Sequence, residues 1–186
     1  MSRKLSEMTL EELWVLFPII LTEHQPCWAD WYAGEEKRLR GVLPPEMIAR
    51  IQHIGSTAID GIWAKPIIDI LLEVPEDFDL PQADALLARA GYRCMAAKED
   101  NRSYNKGYTE AGFASQVYHL HLRPLGDHDE VWFRDYLNAH PDEAKDYEAL
   151  KLSLWKPYEH DRDGYTAAKG SFVADVVRRA RMEGKQ

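Results

Sequence analysis

At 186 residues, with 45% apolar and 29% charged side chains, the chain has the make-up of one globular domain with enough material for a substantial core. A formal net charge of −8 argues against duplex nucleic acid as a partner of the whole surface, although an acidic protein can hold a local basic pocket. The apolar run from Leu13 to Leu21 is interrupted by Pro18, is too short to span a membrane and lacks the features of a signal peptide, so the sequence predicts a cytoplasmic protein with no membrane partner.

In chain order, residues 1 to 8 are polar and read as loose. Thr9-Leu10-Glu11-Glu12 fits a capping box, with Thr9 as cap and Glu12 three residues on, opening a short helix that Pro18 disfavours continuing. Ile19-Ile20-Leu21 reads as a strand and His24-Gln25-Pro26 as a turn. Trp28 to Leu43 reads as a helix, with Trp28 and Trp31 as packing residues. Met47 to Ile54 is a short helical turn leading into a strand. Residues 66–74 form an apolar strand, followed by a connection from Pro75 to Leu80. Pro81 to Ala90 is a helix that Gly91 stops. Tyr92 to Ala97 reads as a strand and Lys98 to Arg102 as a polar loop. Tyr104 to Thr109 and Gln116 to Leu122 read as a hairpin around Glu110-Ala111-Gly112. Asp129 to Ala139 and Pro141 to about Trp155 are helices, the second begun by proline in its first turn. Tyr158 to Gly164 is a charged loop. Tyr165 to Met182 is the last helix, with Phe172, Val173, Val176, Val177 and Ala180 on one face. Cys27 and Cys94 are isolated thiols without metal spacing; they fit a reducing compartment, and one disulfide stays open. The oligomeric state is not legible.

Two patterns carry chemistry. Gly55-Ser56 breaks a strand where glycine frees the backbone for close approach to an anion, with N–H groups of a following helical start available. In the strand that follows, Ile68, Ile70, Leu72 and Val74 point one way, and Ile67, Asp69, Leu71 and Glu73 the other. An acid in so apolar a strand is costly unless paired, hydrogen-bonded or near solvent, which makes Asp69 a site candidate; a structural pairing with Lys65 or a histidine is the alternative. Downstream, His119 and His121 sit two apart on a strand and share a face. They can ligate a transition ion, hydrogen-bond phosphate or shuttle protons, or simply form a hydrogen-bonded, half-exposed pair. His53 is a third imidazole nearby. Lys65, Arg102, Lys151 and Lys169, with Tyr104 and Tyr165, are anion-site candidates against a background of solvated surface charge. Arg134-Asp135 reads as a local ion pair docking its helix. The chain has no nucleophile elbow, no phosphate-cradling Walker loop and no dinucleotide fingerprint.

The run His53-Ile54-Gly55-Ser56-Thr57-Ala58, then Gly61, then Lys65-Pro66-Ile67-Ile68-Asp69-Ile70 resembles the GrpB family. So do His119-Leu120-His121, Phe133 to Leu137, Tyr147 to Lys151, and Tyr165-Thr166 with Lys169. The likeness runs from about residue 18 to about residue 181, within one domain covering 1–186. Asp60, where a proline is usual, and the stretch before Pro18 depart from the pattern.

The resemblance implies a branch of the nucleotidyltransferase superfamily with a polymerase-beta-like core. The implied fold is α+β: a mixed, mostly antiparallel sheet containing residues 50–54, 66–74 and 116–122, packed with helices, and a helical carboxy-terminal part. It also implies a nucleotide or phosphorylated small molecule as ligand. Gly55, Ser56, Lys65, Lys151, Tyr165 and Lys169 would hold phosphate, Asp69 and His121 would act in catalysis, and Asp69, His119 and His121 would meet a metal. The superfamily pattern requires a second acid two residues after the first, because two ions need several carboxylate oxygens. That position is Leu71. Glu73 shares the face but lies about 13 Å along the strand from Asp69 at ~3.3 Å per residue. The expectation is therefore magnesium or manganese bound only with nucleotide, or a transition ion on the histidines without it. A non-catalytic ligand-binding or interaction protein is the alternative function.

Overall fold

The computed structural model describes residues 3–99 and 101–184. Positions 1 and 2, read as loose, and position 100, read as loop, lie outside that range. A single 3-10 turn (Leu5–Glu7) precedes α1 (Leu10–Leu16), whose capping box forms as the sequence predicts: Glu12 N–H donates to Thr9 Oγ1 and Thr9 N–H to the Glu12 carboxylate. Helix α2 (Cys27–Val42) is followed by β1 (Arg50–Ile54) and β2 (Ile67–Val74). Then come α3 (Leu80–Arg89), β3 (Arg93–Ala97), β4 (Arg102–Thr109) and β5 (Gly112–Pro124). Helices α4 (Asp129–Ala139), α5 (Pro141–Trp155), α6 (Arg162–Ala168) and α7 (Gly170–Glu183) complete the chain.

The strands form one sheet in the order β1-β2-β5-β4-β3. Only β2 and β5 run parallel; the other neighbours are antiparallel. The mixed α+β class and the shared sheet of residues 50–54, 66–74 and 116–122 are therefore as expected. The side-chain alternation of β2 assigns its faces. Ile68, Ile70, Leu72 and Val74 join Leu120 and Leu122 of β5 in a core closed by Trp28 and Leu39 of α2 and Ala83 and Leu87 of α3. On the opposite side a second core of Phe133, Tyr136, Tyr147, Val176 and Val177 ties the carboxy-terminal helices together around Ile59 and Ile62. Arg134 bonds Asp135, as expected, and also reaches the His53 carbonyl at 2.7 Å, which docks α4 on the end of β1.

Three local readings are corrected. Ile19 to Leu21 is not a strand: the bridge Thr22↔Ala64 lies just beyond it, and Ile19 N–H bonds Glu159 O instead. Pro18 supplies no donor, and Ile19 and Leu21 bury against Tyr165. The charged segment 158–164 is helical from Arg162, because the Asp161 carboxylate caps Gly164 N–H at 2.8 Å. The last helix is broken at Lys169, where low-propensity Gly170 begins α7.

Glu73, the second acid of β2, is fully buried and has a structural role. It accepts two hydrogen bonds from Arg50, one from Gln52 and one from Gly126 N–H, with His128 Nε2 at 3.2 Å. Burial alone would raise its pKa; the Arg50 hydrogen bond and the others hold it below the usual range. Glu73→Ala removes the buried acceptor that these part-exposed donors share and is expected to lower unfolding stability by about 1–3 kcal/mol. A shift in the urea midpoint equivalent to less than 1 kcal/mol, at unchanged denaturant slope, would contradict that role.

Candidate functional site

The parallel pairing of β2 with β5 sets Asp69 directly opposite His119, on the face turned toward the carboxy-terminal helices. A cavity of about 190 Å3 opens there. Of the residues singled out in the sequence, Gly55, Ser56, Lys65, Asp69, His119, Lys151, Tyr165 and Lys169 line it. His121 does not line it and meets the site through Asp69, its Nε2 lying 3.5 Å from Oδ1. Arg102 and Tyr104 are elsewhere, both engaged with Asp84. His53 stacks on Tyr32 and bonds Thr57 Oγ1 at 2.9 Å; burial pushes it down to about 4, so it is neutral at pH 7.

Gly55 leaves β1 with φ +72°, a left-handed conformation that favours glycine. The helical start expected after it is one 3-10 turn, Ser56–Ala58, anchored by Thr57 Oγ1 donating to Ile67 O. A Cβ on Gly55 would collide with the Asp69 carboxylate. Glycine thus lets the acid of one strand nest against the turn that ends its neighbour.

Asp69 Oδ1 lies 3.3 Å from His119 Nδ1. On the other side of that ring, Tyr108 Oη is 2.8 Å from Nε2, and Arg162 Nη2 donates to Tyr108 Oη at 2.9 Å. One set of proton positions satisfies the whole line. Arginine donates to the phenol, the phenol donates to Nε2, and Nδ1–H donates to the carboxylate. Burial lowers the His119 pKa, opposed by Asp69 and assisted by Lys65 and Arg162. For Asp69, burial acts upward, but the hydrogen bonds from His119 and His121 hold it well below the ordinary carboxylate range. At pH 7 the site therefore contains a carboxylate and a neutral His119. Nitrogen-15 NMR of the imidazoles is expected to show His119 as the Nδ1–H tautomer; an Nε2–H signal would overturn the arrangement.

Sequence reasoning missed Tyr108, Arg162 and Tyr147. By strict alternation Tyr108 belongs on the core side with Tyr104. A register shift at Gly107, φ +92°, whose added Cβ would strike the Gln116 carbonyl, turns it over. An isolated glycine inside the predicted strand was the available signal.

The cations are the other half of the site. Lys65 and Lys169 stand 5.7 and 4.3 Å from the Tyr165 ring centroid, and Lys151 stands 4.8 Å from that of Tyr147. Lys151 is buried and donates to Trp63 O. Among the described residues none of the three forms an ion pair with a carboxylate. Burial, followed by Arg162 and Lys169, pushes Lys65 down to about 7. Burial, followed by Lys169, pushes Lys151 down to about 7. Burial lowers Lys169 to about 8, with Asp69 opposing. Tyr165 Oη is buried without a hydrogen-bond partner, and a hydrogen bond with Ser56 partly offsets the burial that raises Tyr147 to about 12.

The donor set does not match a two-metal centre. Leu71 is fully buried where a second acid would stand, and Glu73 is committed to Arg50. Both nitrogens of His119 are already engaged. Among the described residues no group of three or more His, Cys, Asp or Glu is arranged to hold a metal. Cys27 and Cys94 are free thiols. No helix among the described residues is long and apolar enough to cross a membrane.

Comparison with known proteins gives a consistent picture. The model of the family described as GrpB protein matches residues 18–179. Glutamate-rich protein GrpB of Alkalihalophilus pseudofirmus is 35% identical over 164 residues, covering 86% of this chain and 94% of that protein. A dephospho-CoA kinase of Mycolicibacterium paratuberculosis is 34% identical over 192 residues, covering 88% of this chain and 46% of that protein. Two further relatives from Pseudomonas aeruginosa and Bacillus subtilis, both called UPF0157 proteins, are spanned over only 64% and 45% of their length. The crystal structure of conserved protein GrpB from Enterococcus faecalis superposes with a TM-score of 0.78 at 27% identity, covering 90% of this chain and all of that one. The chain belongs to the GrpB family.

Proposed function

We propose that the protein binds a phosphorylated small molecule or nucleotide, with phosphate oxygens on Lys65, Lys151 and Lys169 and beside the Gly55-Ser56 turn. The observation that carries this is three ammonium groups around one small cavity, none ion-paired among the described residues, in a chain of net charge −8. Their mutual repulsion and burial are what an incoming polyanion relieves. Tyr165 Oη and Ser56 supply further hydrogen-bonding groups at the same cavity. The name of the mycobacterial relative, a kinase acting on dephospho-CoA, adds support for a phosphorylated ligand. Calorimetric titration with inorganic triphosphate tests the reading. Binding that weakens at least tenfold in Lys65→Met and in Lys169→Met supports it; absence of binding in the unmodified protein rejects it.

Nucleotidyl transfer is the second reading, favoured by one arrangement: a Gly-Ser turn at the end of one strand beside an acid on its neighbour. Asp69 is the group that would touch metal or reacting atoms, and His119 and His121 fix its charge. A transition ion on either histidine would have to displace the hydrogen bonds described. Magnesium or manganese is instead expected to arrive with the nucleotide, whose phosphates supply the oxygens the protein lacks. Release of pyrophosphate from nucleoside triphosphates, abolished in Asp69→Ala, would support transfer. Nucleotide binding without turnover would favour the non-catalytic reading.

A further inference from the structure

A second cleft adjoins the cationic cavity. It has a volume of about 170 Å3 and shares two wall residues with that cavity, Lys65 and Ile67. Ile67 is buried in the sheet, whereas Lys65 has a long side chain able to change rotamer. The remaining walls are of different chemistry. Pro18, Pro66 and Phe113 contribute rings, Ile20 and Val117 contribute branched apolar groups, and Ser115 and Arg162 are the main polar side chains besides Lys65. Ile20 is 43% exposed at this cleft, between the buried Ile19 and Leu21, so its apolar side chain is open to a ligand there. A small apolar cleft beside a cluster of cations suits a ligand with a charged end and a flat uncharged end.

We infer that the cleft holds the organic ring of the phosphorylated ligand, specifically the base of a nucleoside polyphosphate whose phosphates lie on Lys65, Lys151 and Lys169. This rests on the anion reading above and names the ligand class. Ring and aliphatic walls bind a base through its face, and every base has such a face. The walls carry few groups able to read a base edge, so discrimination among bases is weak. Lys65 stands where the two parts of the ligand join. Its side chain lines both cavities, and its ammonium lies 5.7 Å from the ring centroid of Tyr165, a wall of the phosphate cavity.

The test uses the whole chain and three probes in calorimetry: inorganic triphosphate, adenosine and cytidine triphosphates, and unphosphorylated adenosine. Both nucleotides are expected to bind about tenfold or more tighter than inorganic triphosphate, a ring-stacking contribution of ordinary size. They should lie within about tenfold of one another, as weak base reading requires. Ser115→Trp, at an exposed position, fills the cleft. It should bring nucleotide affinity back to that of inorganic triphosphate and leave inorganic triphosphate itself unchanged. Ile20→Ser, also exposed, should have a smaller effect of the same kind and guards against misfolding of the first variant. Nucleotides binding no tighter than inorganic triphosphate would overturn the inference, as would Ser115→Trp weakening both probes equally. Adenosine separates the two readings. Weak adenosine binding that Ser115→Trp removes supports the cleft even where inorganic triphosphate fails to bind, an outcome that rejects the anion site alone.

Discussion

Lys151→Met is expected to weaken triphosphate binding by about 10- to 100-fold while making the unliganded protein more stable at pH 7. The ammonium of Lys151 is buried, has no carboxylate partner among the described residues, and is held by Trp63 O and the Tyr147 ring. A charge-assisted hydrogen bond to phosphate contributes about 1.5–3 kcal/mol, which gives the affinity range. The opposite sign in stability follows from linkage. The folded pKa of Lys151 is about 7, below the ordinary lysine value, because burial penalises the charged form. Between the folded and the unfolded pKa the unfolded chain binds more protons, so this group makes stability rise with pH across that window. Its unfavourable contribution is complete below pH 7 and disappears above the ordinary lysine pKa. Methionine fills a similar volume without the charge and removes that slope, about 1.4 kcal/mol per pH unit at its steepest. Saturating triphosphate should flatten the pH profile of the unmodified protein, since a bound anion raises the pKa of its lysine neighbours, and binding should take up protons near pH 8. Chemical denaturation from pH 6.5 to 9.5, with and without triphosphate, reads all of this. A Lys151→Met protein that is less stable at every pH, with triphosphate affinity unchanged, would mean that Lys151 is a core residue with no part in anion binding.

The second large effect is expected at Gly55. Gly55→Ala places a methyl group on the Asp69 carboxylate and asks a non-glycine residue to hold φ +72°. The left-handed backbone costs about 1–2 kcal/mol and overpacking a further ~1–3 kcal/mol, so a loss of about 2–5 kcal/mol in stability is expected. The turn is pinned on both sides, by His53 and Ile67 through Thr57, and the carboxylate is held by His119 and His121. Neither partner can yield without giving up its own hydrogen bonds. The variant should therefore also release His119 from Asp69, and its imidazole nitrogen shifts should move toward those of a freely titrating histidine. A Gly55→Ala protein with unchanged midpoint and unchanged His119 signals would show that the turn and the acid do not constrain each other.

Much of this chain is determined by local sequence. Period-two alternation in β2 assigned Asp69, Leu71 and Glu73 to one face and the aliphatic set to the other, because a strand leaves no other choice. Capping chemistry at Thr9, the stop at Gly91 and the proline opening α5 depend on groups within a few residues, and they hold. The family motifs selected Gly55, Ser56, Lys65, Asp69, His119, Lys151, Tyr165 and Lys169, which line one cavity. The tertiary structure alone decided what those residues are bound to. Asp69 faces His119 because β2 and β5 pair in parallel in that register, which neither strand encodes alone. Glu73 is withdrawn from the site by Arg50 of the neighbouring strand and by the turn at Gly126. Tyr108 joins the site only because a bulge at Gly107 reverses the face it presents, and Arg162 only because α6 begins earlier than its charged sequence suggests. Lysines that are ordinary surface cations by composition become a group of cations without ion pairs among the described residues once segments far apart in the chain enclose them around one cavity. Local pattern fixes which way a side chain leaves its strand or helix; which partner waits there depends on contacts far away along the chain.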